Sequence, residues 1–112
     1  MKLTGKCKIE FENWILNNKS NHDSTRMIKI FNQKDLFVSY VGIGETFLNA
    51  LIIEFFDSVG VYISTDIDYN FRYFNYKVET RKNVETIDYV YNSRTKAVNK
   101  AIEKANETYN KN

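Results

Sequence analysis

Apolar residues recur with a helical period at both ends of this chain and with a period of two between them. Cys7, Phe11, Trp14 and Ile15 stand at i, i+4, i+7 and i+8, so they share one face of a helix. Thr4 is placed to cap that helix, and the polar run Asn17 to Ser24 ends it. Met27, Ile28, Ile30 and Phe31 suit a short second helix, followed by irregular chain in which Gly42 and Gly44 make a turn. From Glu45 to Ser58 the stretch "ETFLNALIIEFFDS" carries Phe47, Leu48, Leu51, Ile52 and Phe55 on one stripe. Ala50, Ile53 and Phe56 make most of its remaining surface apolar, which predicts a helix covered on more than one side. Gly60 is a natural stop, because only glycine enters the left-handed region without penalty.

The period then changes. "VYISTDI" puts Val61, Ile63 and Thr65 on one face, and "FRYFNYKVE" puts Phe74, Tyr76 and Val78 on one parity. "VETIDYVY" makes a third strand after the turn "RKN". Three consecutive strands with short connections predict an antiparallel meander. A closing helix starts after Ser93, a good N-cap, with Ala97, Val98, Ala101, Ile102, Ala105 and Tyr109 as its apolar stripe. The fold class is therefore α+β. N-terminal helices precede a three-stranded antiparallel sheet, and the C-terminal helix packs on one face of it.

Composition narrows the setting. At 112 residues the chain makes one domain, residues 1–112. Hydrophobic residues at 43% argue against disorder, and no apolar run approaches the roughly 18 residues that a membrane span requires. The start "MKLTGKCKIEFENW" has no secretory pattern, and a lone Cys7 suits a reducing cytoplasm. A net charge of only +2 means that attraction to nucleic acid must come from a local patch.

Catalytic chemistry finds little support. Cys7 lies on an apolar face, where a thiol behaves as a small hydrophobe, and its only imidazole partner is His22 in a polar loop. One Cys and one His do not make a closed zinc site, and "GIGE" lacks the spacing and Lys of a phosphate loop. No cofactor is implied. A small metal-dependent nuclease would need Asp66, Asp68 or Glu79 to converge on Mg²⁺. Basic residues offer more. Lys96, Lys100 and Lys104, four apart, share a helix face, with Arg94 at its start and Arg81 and Lys82 in the turn before the third strand. These six are the candidate nucleic-acid contacts. Glu103 and Glu107 beside them open the plainer reading of a solvated, partly paired helix face.

Two resemblances bear on function. From Phe47 onward, helix–strand–strand–strand–helix resembles the double-stranded-RNA-binding domain, whose last helix opens on a Ser–Lys–Lys–x–Ala–Lys pattern that clamps phosphates. "SRTKAVNK" supplies Ser93, Arg94, Lys96, Ala97 and Lys100 in a similar arrangement. The Gly-rich approach to that helix and the histidine loop between strands 1 and 2 are missing. Over most of the chain, "LTGKCKIEFENWI", "FFDSVGVYI" and "AVNKAIEKANETYN" resemble small accessory proteins encoded by bacteriophages. That resemblance extends to anti-CRISPR inhibitors of type VI-B RNA-guided ribonucleases. It implies a non-enzymatic inhibitor in the host cytoplasm, whose partner is a host defence protein, a ribonucleoprotein or its guide RNA. A general double-stranded-RNA-binding module is the next expectation and the nuclease the third.

Overall fold

The computed structural model describes residues 3–18 and 42–111. Their order is α1 (Gly5–Asn18), α2 (Gly42–Ser58), β1 (Tyr62–Ile67), β2 (Phe74–Glu79), β3 (Val84–Tyr91) and α3 (Arg94–Asn110). The strands form one antiparallel sheet in chain order, and α3 lies on it, so the class is α+β. The helix expected at Met27 to Phe31 and the chain after it lie outside the described residues.

Two boundaries differ from the pattern. α2 starts at Gly42, so Gly42 and Gly44 belong to its first turn and not to a turn before it. First-turn residues have the fewest intrahelical hydrogen bonds to lose, and the poor propensity of glycine weighs least there. The connection from β1 to β2 takes residues 68–73 and is longer than a tight turn. At its far end Gly60 closes α2 as expected, at φ +82, while the Val61 N–H donates to the Phe56 carbonyl at 2.9 Å.

The pattern puts the buried centre on α2, and the structure shares it between α2, which supplies the large side chains, and α3. That helix touches all three strands and both other helices, and Ala97, Ala101, Ile102 and Ala105 on it have no exposed surface. Alanines at four-residue spacing carry little hydrophobic mass, yet their small size lets a helix approach its neighbours closely. α2 contributes Leu48, Leu51, Ile52, Phe55 and Phe56 to the core, and the exposure of Ala50 shows one uncovered side. Leu3, just before α1, and Cys7, Phe11 and Ile15 on it are buried in an unbroken four-residue rhythm, with Trp14 partly buried beside them.

Packing alone does not hold α1. The Thr4 N–H donates to Asn106 Oδ1 at 3.0 Å, and Asn106 Nδ2 donates back to Thr4 Oγ1 at 3.0 Å. Asn110 Oδ1 accepts from the Cys7 N–H at 2.9 Å, while its Nδ2 donates to the Thr4 carbonyl at 3.0 Å. The first-turn amide that Thr4 was expected to cap is thus capped from α3. Gly5 has φ +58, and a β-carbon there would come within 3.4 Å of the Asn110 side chain.

Burial pushes the Cys7 thiol up to about 12, and the nearby Glu10 carboxylate adds to the rise. The folded protein keeps a proton that the unfolded chain releases near its ordinary value of 9.0. The stabilisation is complete below that pH and declines above it, by up to about 1.4 kcal/mol per unit. Tyr76, raised by burial, and Lys104, raised by its hydrogen bond to Glu85, act in the same direction. Urea midpoints are expected to stay level from neutral pH to about 9 and then to fall, less steeply in Cys7→Ala. A fall of equal slope in both proteins would show that the thiol is not shielded.

Candidate nucleic-acid interface

The six candidate cations do not form one patch. α3 is 17 residues long, which separates its ends by about 25 Å. Arg81 and Lys82 stand in the turn between β2 and β3, where Tyr109 near the end of α3 lines the same open groove. Lys6 of α1 joins them there, its Nζ 5.3 Å from the centre of the Tyr109 ring. That groove of about 700 Å³ also takes in Asp57, Ser58 and Gly60 from the end of α2. Two helices finish there, and their terminal carbonyls favour cations over anions. The basic side chains of this end therefore complement the helix termini.

Along the middle of α3 the stripe is largely spoken for. Lys100 pairs with Glu103 at 3.2 Å and Lys104 with Glu85 of β3 at 3.2 Å. Both pairs are half-exposed and of modest worth. Lys96, Lys100 and Lys104 each precede a buried alanine by one position, so the row runs along one flank of α3, the flank on which Lys104 meets β3. Lys96 is exposed and makes no ion pair with a described residue.

Arg94 and Lys96 lie at the opposite end. Ser93 caps α3 there, accepting from the Lys96 N–H at 3.2 Å. Arg94 reaches across the sheet, its guanidinium 5.0 Å from the centre of the Phe74 ring and its Nη1 donating to Thr65 Oγ1 at 3.1 Å. The early turns of α2 come to the same place. Thr46, Asn49, Ala50 and Ile53 line a shallow cleft of about 230 Å³ with Arg94, Thr95 and Val98. Asn49 Nδ2 donates to Asn99 Oδ1 across it at 2.9 Å. Two helix N-termini converge at this end, and unsatisfied N–H groups there favour negative charge.

The pattern of the chain gave no weight to what stands beside them. The β1–β2 connection carries Tyr69, Phe71 and Tyr73, all exposed, with Arg72 among them. Aspartates hold it in shape. Asp68 Oδ1 accepts from the Arg72 N–H at 2.8 Å, the Phe71 N–H donates to the Asp68 carbonyl at 3.0 Å, and the Asp68 N–H donates to the Tyr73 carbonyl at 2.9 Å. Phe71 sits at φ +57, a left-handed conformation that a bulky residue seldom adopts. Alternation of aromatic with polar residues is the available signal, and by itself it points to a strand.

The carboxylates considered for a metal do not gather. Asp66 pairs in register with Asn75, whereas Glu79 stands opposite Tyr62, four residues away along β1. The two are thus about 13 Å apart along the sheet. Asp68 is engaged in the turn, and among the described residues no three His, Cys, Asp or Glu side chains are placed to hold an ion. His22, the imidazole considered for Cys7, lies outside the described residues. No described helix is long and apolar enough to cross a membrane.

No protein-family model, curated protein or solved structure matches this chain.

Proposed function

We propose that this chain is a non-enzymatic accessory protein of the bacteriophage kind, which inhibits a host defence system by binding an RNA-guided CRISPR effector or its guide RNA. The observation that carries the reading is the composition of one end of the molecule. Arg94 lies over Phe74 at the foot of the hairpin that carries Arg72 and the exposed rings of Tyr69, Phe71 and Tyr73, at the end where α3 begins. Tyrosine, phenylalanine and arginine are the side chains that anchor interfaces, and an anionic partner suits the helix N-termini. A general double-stranded-RNA-binding module is the second reading. It is favoured by the order α2–β1–β2–β3–α3 with the strands paired in chain order, an argument from analogy of fold.

The test adds purified protein to a guide-loaded type VI-B effector and follows cleavage of target RNA. Inhibition is expected at protein concentrations close to that of the effector, with no cleavage of free RNA by the protein itself. Lys96→Gln with Lys100→Gln should weaken association with the effector. The same pair should make the slope of log affinity against log salt shallower by about 2. Unchanged cleavage at a large molar excess of protein would refute the inhibitor reading. RNA binding that persists without inhibition would leave the general RNA-binding module.

A further inference from the structure

We infer that the tip of the β1–β2 hairpin is a stacking platform for unpaired RNA bases, with Arg72 and Arg94 taking the adjoining phosphates. The inference rests on the RNA-directed reading above and names the part of the RNA that is held. Tyr69 is 95% and Phe71 78% exposed, and Tyr73 is exposed as well. Large rings left in water at a loop tip contribute little to the fold, since apolar burial is what stabilises it. The loop is nevertheless tied by three hydrogen bonds centred on Asp68, and Phe71 is kept in the left-handed region. A non-glycine residue is strained there, and such outliers cluster where a ligand is gripped. The rings are thus presented in a fixed loop, which lowers the entropy lost on binding.

Charge decides the kind of partner. Asp66, the nearest other acid, alternates with Thr65 and Ile67 and so faces away from α3, its Oδ1 accepting from the Ile67 N–H at 2.9 Å. On the side toward α3, Arg94 is stacked on Phe74 at the base of the hairpin and donates to Thr65 Oγ1. Rings flanked by guanidinium groups suit a ligand that alternates flat bases with phosphates. A base inside a duplex has both faces covered and offers nothing to stack on, so the occupant is a loop, bulge or single-stranded segment.

The experiment measures binding of a short single-stranded oligoadenylate carrying one central 2-aminopurine and of a blunt, fully paired RNA of mixed sequence. Parent protein is compared with Tyr69→Ser, with Phe71→Gly and with the control Tyr62→Ser, an exposed ring at the far end of β1. Phe71→Gly removes the ring while relieving the backbone, so its melting temperature should not fall and lost binding is not lost fold. The parent is expected to prefer the single strand and to change 2-aminopurine emission. Each tip variant should bind the single strand about five- to 150-fold more weakly, while Tyr62→Ser binds as the parent does. The tip contribution should persist at high salt, where the share from the arginines fades. Single-strand binding equal in the parent and both tip variants overturns the platform and leaves the RNA-directed reading standing. Should the parent bind neither RNA while Phe71→Gly relieves inhibition of the effector, the tip seats in a protein pocket, and the platform is again overturned. A parent that binds no RNA and inhibits nothing removes both proposals.

Discussion

Phe55→Ala is expected to cost about 3–5 kcal/mol, a large share of the roughly 5–15 kcal/mol that holds a domain of this size together. Phe55 is where three helices meet. Its ring lies 5.6 Å from Phe11 and 5.9 Å from Trp14 of α1, 5.4 Å from Phe56, and 5.9 Å from Tyr109 of α3. Most of these are edge-on or tilted, the geometry in which the electropositive rim of one ring meets the face of another. Truncation removes the transfer energy of a buried phenyl ring and leaves a hole that four aromatic neighbours are too stiff to fill. Urea titration followed by Trp14 fluorescence reads both consequences, since the indole loses a packing partner even before unfolding. Val84→Ala, at an exposed site on β3, should shift the midpoint by less than about 0.5 kcal/mol. If the two variants melt alike, the three helices do not share one core.

Phe55 was legible in the sequence because it sits in a strong helical stripe that runs into Gly60. The strand parities were legible for a similar reason. Tyr76 and Val78 are the buried residues of β2, and they alternate with the exposed Lys77. The central role of α3 was not legible, because alanine contributes little to a hydrophobic pattern while deciding how near two backbones can come. Nor was the β3 irregularity, where two steps of β2 from Phe74 to Tyr76 span four of β3 from Tyr91 to Ile87. A register shift leaves no mark on either strand read alone.

The candidate site separated in the same way. Lys96, Lys100 and Lys104 were correctly grouped on one flank, because i, i+4 spacing fixes that locally. Their partners were a matter of tertiary contact. Glu85 is nineteen positions before Lys104 in the chain and 3.2 Å from it in space. Arg81 and Lys82 looked like neighbours of Arg94 because they flank the same strand, yet β3 carries the two groups to opposite ends of the sheet. Tyr69 falls in a stretch, Asp66 to Asn70, that the sequence marks as a turn, whereas Phe71 opens a strand-like run that predicts burial, and only the turn around Asp68 turns it outward.

The contact least visible in the sequence carries the other large effect. Asn106→Ala with Asn110→Ala is expected to destabilise the protein by about 3 kcal/mol and to release α1 before the rest unfolds. Both positions read as the polar side of α3, but Asn106 is buried and holds Thr4 through a reciprocal pair of hydrogen bonds. Removing its amide leaves the Thr4 N–H and hydroxyl facing an apolar methyl group, which accounts for about 2 kcal/mol. Asn110 is exposed, so water replaces part of what it gives the Cys7 N–H, and its loss resembles loss of a helix cap at about 1 kcal/mol. The local readout is the Cys7 thiol. In the parent it is buried and is expected to react with a thiol reagent only on global opening, at a rate set by total stability. In the double variant α1 detaches on its own, so labelling should accelerate more than the melting curve accounts for. Backbone amides of α1 should then exchange faster than those of α2 and β2. Labelling that tracks global stability in both proteins would mean that α1 unfolds only with the whole domain, and that the asparagines strengthen the fold without hinging it.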